Sequence, residues 1–73
     1  MMEKPLPDLS PDGLRIYVPW ADFRLGESVF IPCINVARAR GQVATAARYF
    51  DFTFEARTRI ERGILGLRVW RTT

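Results

Sequence analysis

Phe52-Thr53-Phe54-Glu55-Ala56-Arg57-Thr58-Arg59-Ile60-Glu61, followed by Leu67-Arg68-Val69-Trp70-Arg71, is the stretch that decides the fold. In the first run Phe52, Phe54, Ala56, Thr58 and Ile60 fall on one side, and Thr53, Glu55, Arg57, Arg59 and Glu61 on the other. That period of two is a β-strand with one buried face. The second run puts Leu67 and Val69 inward, and Arg68 and Trp70 outward. Arg62-Gly63-Ile64-Leu65-Gly66 reads as the turn between them, so the two strands form an antiparallel hairpin.

Working backward from the hairpin, Asn35 is a good N-cap, and a helix is predicted from there to about Phe50. At helical spacing Val36, Ala39, Val43, Ala46, Ala47 and Phe50 share a face, with Arg38, Gln42, Thr45 and Tyr49 opposite. Its alanines imply close approach to a sheet. Ser28 to Cys33 is a short, continuously apolar strand, and Leu14 to Val18 alternates as an edge strand that Pro19 stops. Residues 1 to 13 hold Pro5, Pro7 and Pro11 and read as a flexible arm outside the sheet. The expected organisation is therefore that arm followed by one small α+β domain over residues 14 to 73. In it, one amphipathic helix packs on a three- or four-stranded, mainly antiparallel sheet.

Charge divides the chain as the elements do. Residues 34 to 73 carry eight arginines against three carboxylates, and residues 1 to 33 carry three basic residues against five acidic ones. A basic module with an acidic arm is a composition suited to binding. Arg57, Arg59, Arg68 and Trp70 converge on the outer hairpin face with Arg71 at its edge, and this face is the candidate binding surface. Arg38, Arg48 and Tyr49 make a second, weaker patch on the helix.

Catalytic parts are scarce. The chain has no histidine, and its single cysteine, Cys33, lies in an apolar run without a base beside it. The carboxylates are scattered and the glycines form no phosphate-cradling loop. A non-enzymatic protein with no cofactor and no metal is expected. No apolar run reaches the length of a membrane span and no signal-peptide core is present, so a cytoplasmic monomer is expected.

Phe23-Arg24-Leu25-Gly26-Glu27-Ser28-Val29-Phe30-Ile31-Pro32 and the closing Gly66-Leu67-Arg68-Val69-Trp70-Arg71 resemble small phage and plasmid proteins. These share a Gly-acid-Ser strand, a basic helix and a terminal Val-Trp-Arg. The likeness covers residues 20 to 72. Arg38, Arg40 and Arg48 stand where lysines are frequent in that group, and the Pro-rich arm is a further departure. Length, arm and arginine content also resemble the small RNA-polymerase-binding transcription regulators of lytic phages, of the kind a Xanthomonas phage encodes. That resemblance implies a partner in the host cytoplasm: bacterial RNA polymerase, at the β′ N-terminus and the β flap beside the RNA exit channel. It also implies inhibition of σ-dependent initiation by σ displacement, and antitermination. Nascent RNA and a host elongation factor are further implied partners. Leu6, Asp8, Leu9 and Asp12 of the arm would then complement a basic, apolar β′ N-terminus. The alternative reading is a DNA- or RNA-binding protein acting through the Arg/Trp face, where arginine meets phosphate and an aromatic ring stacks on a base.

Overall fold

The computed structural model describes residues 8 to 73. Leu6 and the rest of the chain before Asp8 lie outside the described residues. The fold is α+β. Two short strands, β1 (Asp8–Leu9) and β2 (Ile16–Tyr17), pair antiparallel as a ribbon. A single 3-10 turn, Trp20–Asp22, leads to β3 (Ser28–Pro32), the helix α1 (Val36–Phe50), β4 (Phe54–Glu61) and β5 (Ile64–Arg71). The last three strands make an antiparallel sheet in the order β3-β5-β4, so the final strand is central. The helix packs on β4 and β5 and also meets β1 and the 3-10 turn.

Local chemistry explains each boundary. The Asn35 side chain accepts the Arg38 backbone N–H at 3.0 Å, which caps α1. At the other end Asp51 adopts a left-handed φ of 61°, and the Phe52 N–H reaches back to the Ala47 carbonyl at 2.9 Å. This closes the helix and turns the Phe52 ring into the interior. There it joins Trp20 and Phe23, with centroids 5.4 to 5.7 Å apart. Ala39, Val43, Ala46 and Ala47 bring the helix close to Ile31, Leu67 and Val69, all buried. Val36 and Phe50, at the ends of the stripe, are only half-buried.

Two expectations are corrected. The turn is two residues, not five: Arg62 and Gly63 both take positive φ, 53° and 79°. That is the backbone of a hairpin turn whose twist matches the strands. Gly66 is therefore inside β5, where it pairs with Pro32 on one side and Arg59 on the other. The arm is corrected as well. From Asp8 onward it belongs to the fold. Pro11 lies beyond the end of the two-residue ladder, in the turn that follows it, so its missing N–H breaks no ladder bond. Leu9 is only 2% exposed and belongs to the core. The Ser10 N–H is held by the Gln42 side chain at 2.8 Å. Asp12 uses both carboxylate oxygens, each 2.8 Å from a backbone N–H, on Ile34 and Asn35 at the entrance to α1. Leu9 and Asp12 are thus structural residues, and the boundary expected at residue 13 does not exist among the described residues.

Two substitutions test this. Leu9→Ala should cost about 2–4 kcal/mol, as for a buried leucine, and should lower the melting temperature sharply. Melting within a degree of wild type would show that the N-terminal segment is not part of the core. Gly41 sits in the middle of α1 with open space where a Cβ would go. Gly41→Ala should therefore stabilise by about 0.5–1 kcal/mol in a denaturant titration.

Candidate functional site: the uncovered sheet face

One helix covers one face of the sheet, and among the described residues no element covers the other. The register sets the uncovered face in rows. Ser28, Trp70 and Glu55 form one, Phe30, Arg68 and Arg57 the next, then Pro32, Gly66 and Arg59, and finally Ile64 with Glu61. The alternation expected for Arg57, Arg59, Arg68 and Trp70 is therefore the observed one, and the four share this face.

Their situations differ. Arg68 is fully engaged. Its Nε donates to Glu61 at 3.0 Å, a second nitrogen donates to the same carboxylate, and Nη1 donates to the Ser28 hydroxyl at 3.0 Å. Its guanidinium lies 5.5 Å from the centroid of the Phe30 ring. This arrangement needs the missing side chain of Gly66. A Cβ there would sit 2.6 Å from the tip of the Phe30 ring and 2.4 Å from the Ile31 carbonyl oxygen. The ring fills the gap the glycine leaves, and Arg68 reaches over it toward β4. Arg71, also expected to be a contact, borders the face but turns its guanidinium inward. It donates to the Phe23 carbonyl and, at 2.5 Å, to the Thr73 carbonyl, over the Phe52 ring.

Arg57, Arg59 and Trp70 remain. Arg59 approaches Glu61 at 3.4 Å with half of its side chain exposed. Arg57 is exposed and makes no hydrogen bond or ion pair among the described residues. Trp70 is half-buried. Together with Glu55, Gly26 and Arg71 they line an open depression of about 410 Å³. Of the four arm residues expected to make contact, Leu9 and Asp12 have described side chains: Leu9 is buried in the core, and Asp12 is exposed but spends both carboxylate oxygens on the Ile34 and Asn35 N–H groups. On the helix, Tyr49 is exposed and Arg40 reaches the Ala56 carbonyl on β4 at 3.2 Å.

Phe30 and Ser28 were not anticipated at this site, and Glu61, expected on this face from the alternation, was not expected to hold Arg68. The continuous apolar run 28 to 33 does not distinguish its two faces by hydropathy, but Ser28 and Pro32 flanking Phe30 at alternate positions are the signal of an open face. Burial, and then the negative charge of Asp12, push the Cys33 thiol above its ordinary range, opposite to an activated nucleophile. Among the described residues no three metal-binding side chains cluster.

The carboxylates at the site predict acid sensitivity. The hydrogen bond from Arg68, reinforced by its charge and those of Arg59 and Arg62, holds Glu61 below the usual glutamate range. Backbone N–H groups of Ile34 and Asn35 hold Asp12 low in the same way. A depressed carboxylate contributes its full stability above the unfolded-state pKa and loses it as the pH falls through the folded-state value. Glu61→Gln should therefore melt at a lower temperature than wild type at neutral pH, and its acid-induced drop should be shallower. Acid-dependence curves that superimpose would show that the Glu61–Arg68 pair contributes nothing.

Comparison with protein-family models, curated proteins and solved structures finds no match to this chain.

Proposed function

We propose that this protein is a phage-encoded regulator that docks on host bacterial RNA polymerase through its uncovered sheet face. In this reading it inhibits σ-dependent initiation by displacing σ, and it acts as an antiterminator beside the RNA exit channel. One observation carries the docking part: Arg57, Arg59 and Trp70 surround an open depression, and Arg57 has no partner among the described residues. Aromatic and arginine side chains concentrate binding energy at protein interfaces, and a half-buried tryptophan supplies a rigid edge to such a contact. Stability does not account for Arg57, because an exposed unpaired charge contributes little to folding. The polymerase part, with the β′ N-terminus and the β flap as contacts, rests on the resemblance to small phage regulators. Leu9 and Asp12 are withdrawn from the contact surface in this proposal, since the fold uses both.

A nucleic-acid partner is the second reading, and Glu55 and Glu61 weigh against it. They lie among the arginines of the same face and repel phosphate. One experiment separates the two. Tagged protein is used to capture partners from a host lysate treated with nuclease. Polymerase subunits should be retained, and Arg57→Ala/Arg59→Ala should lose them without a change in melting temperature. Capture that disappears with nuclease supports the nucleic-acid reading. Capture unaffected by the double substitution moves the docking surface off this face.

A further inference from the structure

Strand β4 lies at one edge of the sheet, and the hairpin turn determines which of its main-chain groups are used. A two-residue turn makes Glu61 and Ile64 the closing pair that exchanges both backbone hydrogen bonds. Alternation then directs the N–H and C=O groups of Glu55, Arg57, Arg59 and Glu61 toward β5. Those of Ala56, Thr58 and Ile60 point away from the sheet. The Arg40 contact agrees, since it reaches the Ala56 carbonyl from outside the ladder. No comparable bond reaches the main chain of Thr58 or Ile60 among the described residues. Both residues are exposed, Ile60 at 71%. The opposite edge differs: β3 is five residues long and ends on Pro32, which has no N–H to offer.

An open edge beside an exposed isoleucine invites pairing with another chain. The arginines decide which chain. A second copy paired about Thr58 would place Arg57 opposite Arg59, and like charges directly opposite are unfavourable. An added strand with carboxylates at alternate positions would instead meet Arg57 and Arg59 on the uncovered face. Its intervening residues would lie on the helix side, beside Thr58 and Ile60. Ile60 is paired there with Leu65, which is also exposed. We propose that the β4 edge over residues 57 to 60, where Thr58 and Ile60 present their main-chain groups outward, is a strand-addition site for an extended protein segment in which acidic and apolar residues alternate. The inference goes beyond the polymerase reading, which concerns the flat of the sheet, and it does not depend on which protein supplies the segment.

The test uses the isotope-labelled full chain and a capped peptide of alternating glutamate and valine. Two control peptides replace every glutamate by lysine, or N-methylate the amides that would bond to Thr58 and Ile60. The acidic peptide should bind, and the Thr58 and Ile60 amides should become protected from hydrogen exchange. N-methylation should weaken binding by about tenfold for each main-chain bond lost, and the lysine peptide should not bind. Thr58→Pro removes an edge donor at a position an edge strand tolerates, so it should abolish binding while melting near wild type. The N-methylated comparison stands even if that variant fails to fold. Equal binding of the N-methylated peptide overturns the proposal. So does a response confined to Trp70 and Arg57 without protection at Thr58 and Ile60. A free chain that dimerises through this edge also overturns it, making a second copy the occupant. Loss of polymerase capture with peptide binding intact would remove only the polymerase reading.

Discussion

Arg68 joins all three strands of the main sheet from the side that no helix covers. It stands on central β5, bonds Glu61 on β4 and Ser28 on β3, and lies over the Phe30 ring. A sheet with a single covering helix has only half of a normal core. No described element packs on its other face, so apolar packing between layers does not hold that side. A bidentate, charge-assisted pair over an aromatic ring is a solution that tolerates water. Gly66 makes room for the ring, and Phe30 takes the place of the absent side chain. The strand order β3-β5-β4 follows the same logic. The most constrained residues, Gly66 and Arg68, sit on the strand with a neighbour on each side.

This division gives the uncovered face two roles along its length. Internal bonds occupy the part that runs from Glu61 through Arg68 to Ser28. The part along β4, around Arg57 and Arg59, and Trp70 beside it is open. Arg57 lies directly opposite Arg68, and the neutralisation of Arg68 by Glu61 is what allows two guanidinium groups to face one another. The same pair leaves Arg57 free to act outward. The β4 edge continues this open region, so a partner strand and a partner surface would approach from adjoining sides.

Much of this was legible in the residues. The alternation in Phe52 to Glu61 and Leu67 to Arg71 places each side chain on its observed face, and Asn35 marks the helix start. What was not legible depended on pairing across distance. Nothing local reveals that Arg62 accepts a left-handed conformation, and that shortens the turn and moves Gly66 into a strand. Nothing local reveals that Asp12 closes the helix entrance 22 residues later, or that Leu9 between two prolines is core. Arg68 and Arg57 are indistinguishable as sequence, and only the register gives one an anion and leaves the other without. The apolar run at Ile31 concealed Phe30 because a strand covered on one face and a strand covered on both differ only at alternate positions.

The central claim is that Arg68 holds the sheet and Arg57, its cross-strand neighbour, does not. Thermal unfolding of Arg68→Ala beside Arg57→Ala, at neutral pH and low ionic strength, tests it most directly. The account predicts a melting temperature several degrees lower for Arg68→Ala, and one indistinguishable from wild type for Arg57→Ala. Equal melting of the two variants, or a larger loss for Arg57→Ala, would contradict it.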